Sequence, residues 1–61
     1  MEKLTLNVNE LAQTLGISLS KAYQLVRQSD FPSVHLGGRW IVPVAALEEW
    51  LMKQAQNERR S

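Results

Sequence analysis

Two short stretches with helical apolar spacing stand three residues apart in this chain, and that adjacency limits the fold more than any other feature. In the first, Val8, Leu11, Ala12 and Leu15 fall at i, i+3, i+4 and i+7, one stripe of a helix. Ahead of it, Asn7-Val8-Asn9-Glu10 has the Asn-x-x-Glu spacing of a capping box, in which each polar side chain satisfies an orphan amide of the other. Gly16 stands where a left-handed residue would end the helix, so the sequence predicts helix over about Val8 to Leu15. Gly16-Ile17-Ser18 then reads as a turn, with Ile17 placed to plug the angle between two helices and Ser18 to cap the second. That second helix is expected from Leu19 to about Gln28, burying Ala22, Leu25 and Val26. Its other face carries Ser20, Gln24 and Arg27, again at i, i+4 and i+7, flanked by Lys21 and Tyr23.

Asp30-Phe31-Pro32 stops the helix, because Pro32 disfavours a helical conformation at Phe31, and Phe31 is expected to anchor the turn in the core. Val34 to Val42 is a hairpin around Gly37-Gly38, with two registers open to it. A two-residue loop puts Val34 on one face with Ile41, and His35 with Trp40. A three-residue loop of Gly37, Gly38 and Arg39 pairs Leu36 with Trp40 and Val34 with Val42. It gathers four apolar residues on one face, leaves His35 and Ile41 outward, and is the register that the apolar pattern favours. Pro43 opens a last helix with a stripe of Val44, Leu47, Leu51 and Ala55 and with Trp50 beside it. No Ser, Thr, Asp or Asn caps that start, so its first turn should depend on tertiary packing. Leu4-Thr5-Leu6 reads as a short edge strand or an extended lead-in. Residues 57–61 have no apolar anchor and are expected to be a disordered tail, leaving one domain over 1–56. The order of pieces, mainly α with a small β-hairpin, reads as a winged helix-turn-helix.

At 61 residues the chain is one domain near the lower limit for a single unstapled core. It has no cysteine, which excludes disulfides and thiolate metal sites and fits a reducing cytosol. No basic segment followed by an apolar one opens the sequence, and the longest apolar stretch, Ile41 to Leu47, is too short for a bilayer. A cytoplasmic protein with no membrane partner is therefore expected. A net charge of +1 is modest for a protein that binds phosphates. Distribution can compensate: Lys21, Arg27 and Arg39 lie mid-chain, whereas Glu48 and Glu49 come later.

Enzymatic chemistry finds no support. His35 is the only histidine, too little for a metal site, and no spacing of Ser18 or Ser20 suggests a nucleophile with an oxyanion hole. Glu48 and Glu49 point about 100° apart on a helix, which does not make a working carboxylate pair. No catalysis, metal or cofactor is assigned.

Taken together, Asn7-Val8-Asn9-Glu10-Leu11-Ala12, Leu15-Gly16-Ile17-Ser18, Tyr23-Gln24-Leu25, Phe31-Pro32, Leu36-Gly37-Gly38-Arg39-Trp40, Pro43 and Ala46-Leu47-Glu48-Glu49-Trp50-Leu51 resemble the excisionase-type helix-turn-helix family. That family is related in fold to the winged domains of MerR-like regulators, and the resemblance spans roughly residues 5–52. Its members are small DNA-binding proteins of phages and mobile elements, or regulators of such elements. The resemblance implies a recognition helix, residues 19–28, in the major groove and a wing, residues 37–39, at the neighbouring minor groove or its phosphates. It assigns Ser18, Ser20, Lys21, Tyr23, Gln24 and Arg27 to the helix surface and Arg39 to the wing. Family members often carry basic residues where this chain has Leu19, Ile41 and Val44, a departure that points to protein contacts there.

Each assignment has an ordinary alternative. A side-chain amide such as Gln24 can donate to and accept from adenine, and Arg27 can pair with guanine or clamp phosphate; otherwise both are solvated helix residues. Ser18 is first a helix cap, a role compatible with donating to phosphate, as Ser20 also could. Tyr23 can reach a phosphate through its hydroxyl or tuck against the wing. Arg39 follows a flexible Gly-Gly tip that suits a narrow minor groove, and is otherwise an exposed arginine. Trp40 and Trp50 fit the core, and Arg59 and Arg60 a solvated tail. Two functions follow: an excision-type accessory factor or small regulator binding double-stranded DNA, with cooperative self-association and an integrase or recombinase as partner, or a module that binds a repressor or recombinase through protein contacts.

Overall fold

The capping box at Asn7 is formed in full in the computed structural model, which describes residues 4–60. The Glu10 amide donates to Asn7 Oδ1 at 2.8 Å and the Asn7 amide to Glu10 Oε1 at 3.0 Å. These bonds start helix α1, Val8–Leu15. It ends in a Schellman arrangement, the Ile17 amide donating to the Ala12 carbonyl at 3.0 Å and the Gly16 amide to that of Gln13 at 3.3 Å. Gly16 sits at φ 68°, ψ 34°, and supplies the left-handed residue that this ending needs. Ser18 caps helix α2, Leu19–Val26, by accepting from the Lys21 amide at 3.2 Å.

Helix α2 stops two residues short of the Gln28 end expected from the sequence. Arg27 lies just past it, at φ −83°, ψ −12°. The reason is a local hydrogen-bond set that closes the helix early. The Ser33 hydroxyl donates to the Val26 carbonyl at 2.7 Å and the Gln28 amide to the Leu25 carbonyl at 3.1 Å, satisfying carbonyls that a further turn would have used.

Three strands follow the order β1-β3-β2, all antiparallel: β1 is Thr5–Leu6, β2 Val34–Leu36 and β3 Arg39–Pro43. The hairpin register corrects the three-residue loop favoured by the apolar pattern. Val34 pairs with Ile41, His35 with Trp40 and Leu36 with Arg39, so the loop is Gly37-Gly38 alone and Arg39 belongs to β3. Both glycines have positive φ, 53° and 78°, as a two-residue turn matching the strand twist requires. The burial that the longer loop would have gained from β2 comes instead from β1, where Leu6 pairs with Val42. Val34 and Leu36 accordingly face away from the core, 43% and 57% exposed. His35 is exposed as expected, but it does not share a face with Ile41: this register sets His35 beside Trp40 and the half-buried Ile41 beside Val34, on opposite faces of the sheet.

The last helix, α3, spans Val44–Arg60. Its first turn is capped from a distance: the Val44 amide donates to the Leu4 carbonyl at 2.9 Å, across the strand pairing. This bond replaces the absent side-chain cap. The residues expected as a tail, 57 and 58, lie in the final stretch of this helix with exposed side chains. The side chains of Arg59 and Arg60, residues 1–3 and Ser61 are outside the described set, and with them the solvated tail expected of the two arginines.

Among the described residues the core consists of Val8, Leu11, Ala12, Ala22, Val26, Phe31, Val42 and Leu47, with Leu6, Leu15, Ile17, Leu25, Trp40 and Trp50 packed against it. Phe31 meets Trp50 edge to face, centroids 4.9 Å apart at 74°, which ties the turn after α2 to α3. Three helices and a three-stranded antiparallel sheet of this order form a winged helix-turn-helix.

Candidate nucleic-acid interface

Because α2 turns Ala22, Val26 and the half-buried Leu25 to the core, the opposite arc faces solvent. Ser20, Lys21, Tyr23, Gln24 and Arg27 are all exposed, as are Ser18 at its cap and Arg39 on β3. With about 100° per residue, Ser20, Gln24 and Arg27 lie along the middle of that arc, with Tyr23 on one flank and Lys21 on the other. Ser18 Oγ already accepts from the Lys21 amide, so its capping role is present and its own proton stays available to an outside acceptor.

The flanks differ in what they meet. Tyr23, 40% exposed, lines one open cleft together with Gly38, Arg39 and Trp40 from the wing and Asn7 and Asn9 from the start of α1. Tyr23 of α2 and Arg39 of the wing thus border the same open cleft, most of whose wall is β1 and the first turn of α1. Lys21 does not line it. Asn9 was not singled out by sequence reasoning. It is exposed at the first turn of α1 and shares the cleft, but its only sequence signal was membership of the Asn-x-x-Glu cap motif.

Leu19, at the first position of α2, is 44% exposed, while Ile41 and Val44 are half-buried. Trp40 and Trp50 both pack against the core. Away from the α2 face, Lys53 lies 3.9 Å from Glu49 on α3, both side chains well exposed. Among the described residues no three His, Cys, Asp or Glu side chains gather to hold a metal ion. No described helix is long and apolar enough to cross a membrane.

The sequence model of a family described as helix-turn-helix domain matches residues 5–55, from β1 through most of α3. That match covers both helices of the motif, the wing and every residue of the exposed arc. A domain of this kind supports DNA binding. No curated protein and no solved structure matches the chain.

Proposed function

The chain belongs to the helix-turn-helix domain family, and on that premise we propose that it is a sequence-specific double-stranded DNA-binding accessory protein of a phage or mobile element, serving excision-type recombination or transcriptional control. The observation that carries this reading is the exposed arc of Ser20, Gln24 and Arg27, whose Tyr23 flank borders the same open cleft as Arg39 of the wing. An eight-residue helix is about 12 Å long, close to the width of the major groove, and presents that arc to base edges. The Gly37-Gly38 tip then lies where the neighbouring minor groove or its phosphates pass.

In this reading Gln24 reads a base, Arg27 takes a guanine or a phosphate, and Ser18, Ser20, Lys21 and Tyr23 hold the backbone. Arg39 enters the flanking groove. Adjacent copies would bend the duplex and prepare it for a separate recombinase, or occlude a promoter. No catalysis is part of the proposal, in keeping with a family that is typically non-enzymatic. Selection from random duplexes followed by gel shifts tests it: Arg27→Ala and Arg39→Ala should weaken the selected complex, and Gln24→Ala should change the preferred sequence. Unchanged behaviour of all three variants removes the assigned surface.

A second reading, a module that binds a repressor or recombinase, is favoured by apolar side chains left open to solvent. Leu19 starts α2, and Val34 and Leu36 cover the outer face of the hairpin. Binding through those residues would be nearly indifferent to salt, whereas phosphate neutralisation is steeply salt-dependent.

A further inference from the structure

The wing is attached through a slender strand. β2 has three residues, all exposed, and it is the edge of the sheet, pairing only with β3. Val34 and Leu36 turn to the open face, so neither is held by the core. His35 turns the other way and stands directly opposite Trp40, with ring centroids 4.3 Å apart and planes 7° from parallel. Among the described residues this is the only ring contact that β2 makes. Trp40 itself packs against the core, so the stack links the edge strand to the body of the protein.

We propose that His35 is a positioning residue of the wing: its stack on Trp40 clamps β2 onto β3 and fixes where Arg39 is presented to DNA. Arg39 immediately precedes Trp40 and pairs with Leu36, the residue after His35, so both of its constraints are neighbours of the stack. The two glycines beyond it add no stiffness of their own. Releasing the stack leaves the backbone pairing of a three-residue edge strand to hold the tip, and Arg39 must then be ordered at the moment of binding. This inference rests on the DNA-binding reading and adds to it a residue that does not itself touch the duplex.

The test is a double-mutant cycle of His35→Ala and Arg39→Ala, with His35→Phe as the variant that keeps a stacking ring and removes both nitrogens. Affinity for a selected duplex is read by fluorescence anisotropy, and order at the Gly37, Gly38 and Arg39 amides by nitrogen relaxation in the free protein. A lost aromatic contact predicts that His35→Ala weakens binding about 2- to 10-fold. The same change on the Arg39→Ala background should cost less than about 2-fold, because two groups acting as a unit are not additive. His35→Phe should restore both affinity and tip order, while tip order parameters in His35→Ala fall toward the flexible range, below about 0.6. The inference is overturned by a His35→Ala tip as rigid as wild type, by costs that multiply in the double variant, or by His35→Phe binding as poorly as Ala. The last of these would assign the imidazole a contact of its own with DNA. Absence of any wild-type complex overturns the DNA reading and this inference together, whereas a normal wild-type complex with an unaffected His35→Ala overturns the inference alone.

Discussion

Replacing Arg39 by Ala tests whether the placement of charge, rather than its sum, lets a chain of net charge +1 bind DNA. Lys21, Arg27 and Arg39 are the exposed basic groups on α2, just past it and on the wing. If each neutralises one phosphate, the logarithm of affinity should fall with the logarithm of salt at a slope of about −2.7. A fourfold rise in salt then weakens binding about 40-fold. Arg39→Ala should reduce the slope to about −1.8, so the same rise costs only about 12-fold. Lys53→Ala is the control, because it removes the same unit of charge from α3, where Lys53 sits beside Glu49 and lines a different cleft with Asp30 and Trp50. Anisotropy titrations across a salt series give both slopes. Equal slope changes in the two variants would mean that only net charge matters, and a wild-type slope near zero would favour the protein-interaction reading; either result refutes the reasoning.

Three further outcomes concern the scaffold that presents this surface. Ser33→Ala removes the 2.7 Å donor to the Val26 carbonyl and leaves that carbonyl unpaired at the end of α2, which should cost about 1–3 kcal/mol in urea denaturation; an unchanged midpoint would show that water replaces the hydroxyl. Gly37→Val forces a branched side chain to φ 53° and should cost at least about 1–2 kcal/mol, whereas Gly37→Asn should be tolerated; thermal melts in which the two variants coincide would count against the two-residue turn. Phe31 is only 4% exposed and packs on Trp50, so Phe31→Ala should cost about 3–5 kcal/mol, against a total stability of about 3–9 kcal/mol for a chain this size. A cooperative melt near the wild-type temperature would contradict that anchoring role.

What could be read from the sequence follows from how far each determinant reaches along the chain. Helix α1 was legible to the residue because its start and stop are fixed within a few positions, by Asn7 and Glu10 at one end and Gly16 at the other. The exposed arc of α2 was legible for the same reason, since periodicity alone separates Ala22 and Val26 from Ser20, Gln24 and Arg27. The end of α2 was not, because Ser33 closes it from seven residues away. Neither was the start of α3, which borrows a carbonyl from Leu4. The hairpin register depends on a reach of the same kind, from β1 to β3. Favouring the three-residue loop assumed that β2 must cover Trp40 and Val42, but Leu6 of β1 pairs with Val42, and α1 packs against the same core. With that cover supplied from the far end of the chain, Gly37-Gly38 adopts the two-residue turn that its positive φ angles suit, and the parity of β2 flips. The flip has two coupled effects: it moves His35 onto Trp40, and it turns Val34 and Leu36 to solvent. One pairing choice, made possible by a strand more than thirty residues upstream, therefore both creates the contact that steadies the wing and leaves an apolar outer face on it.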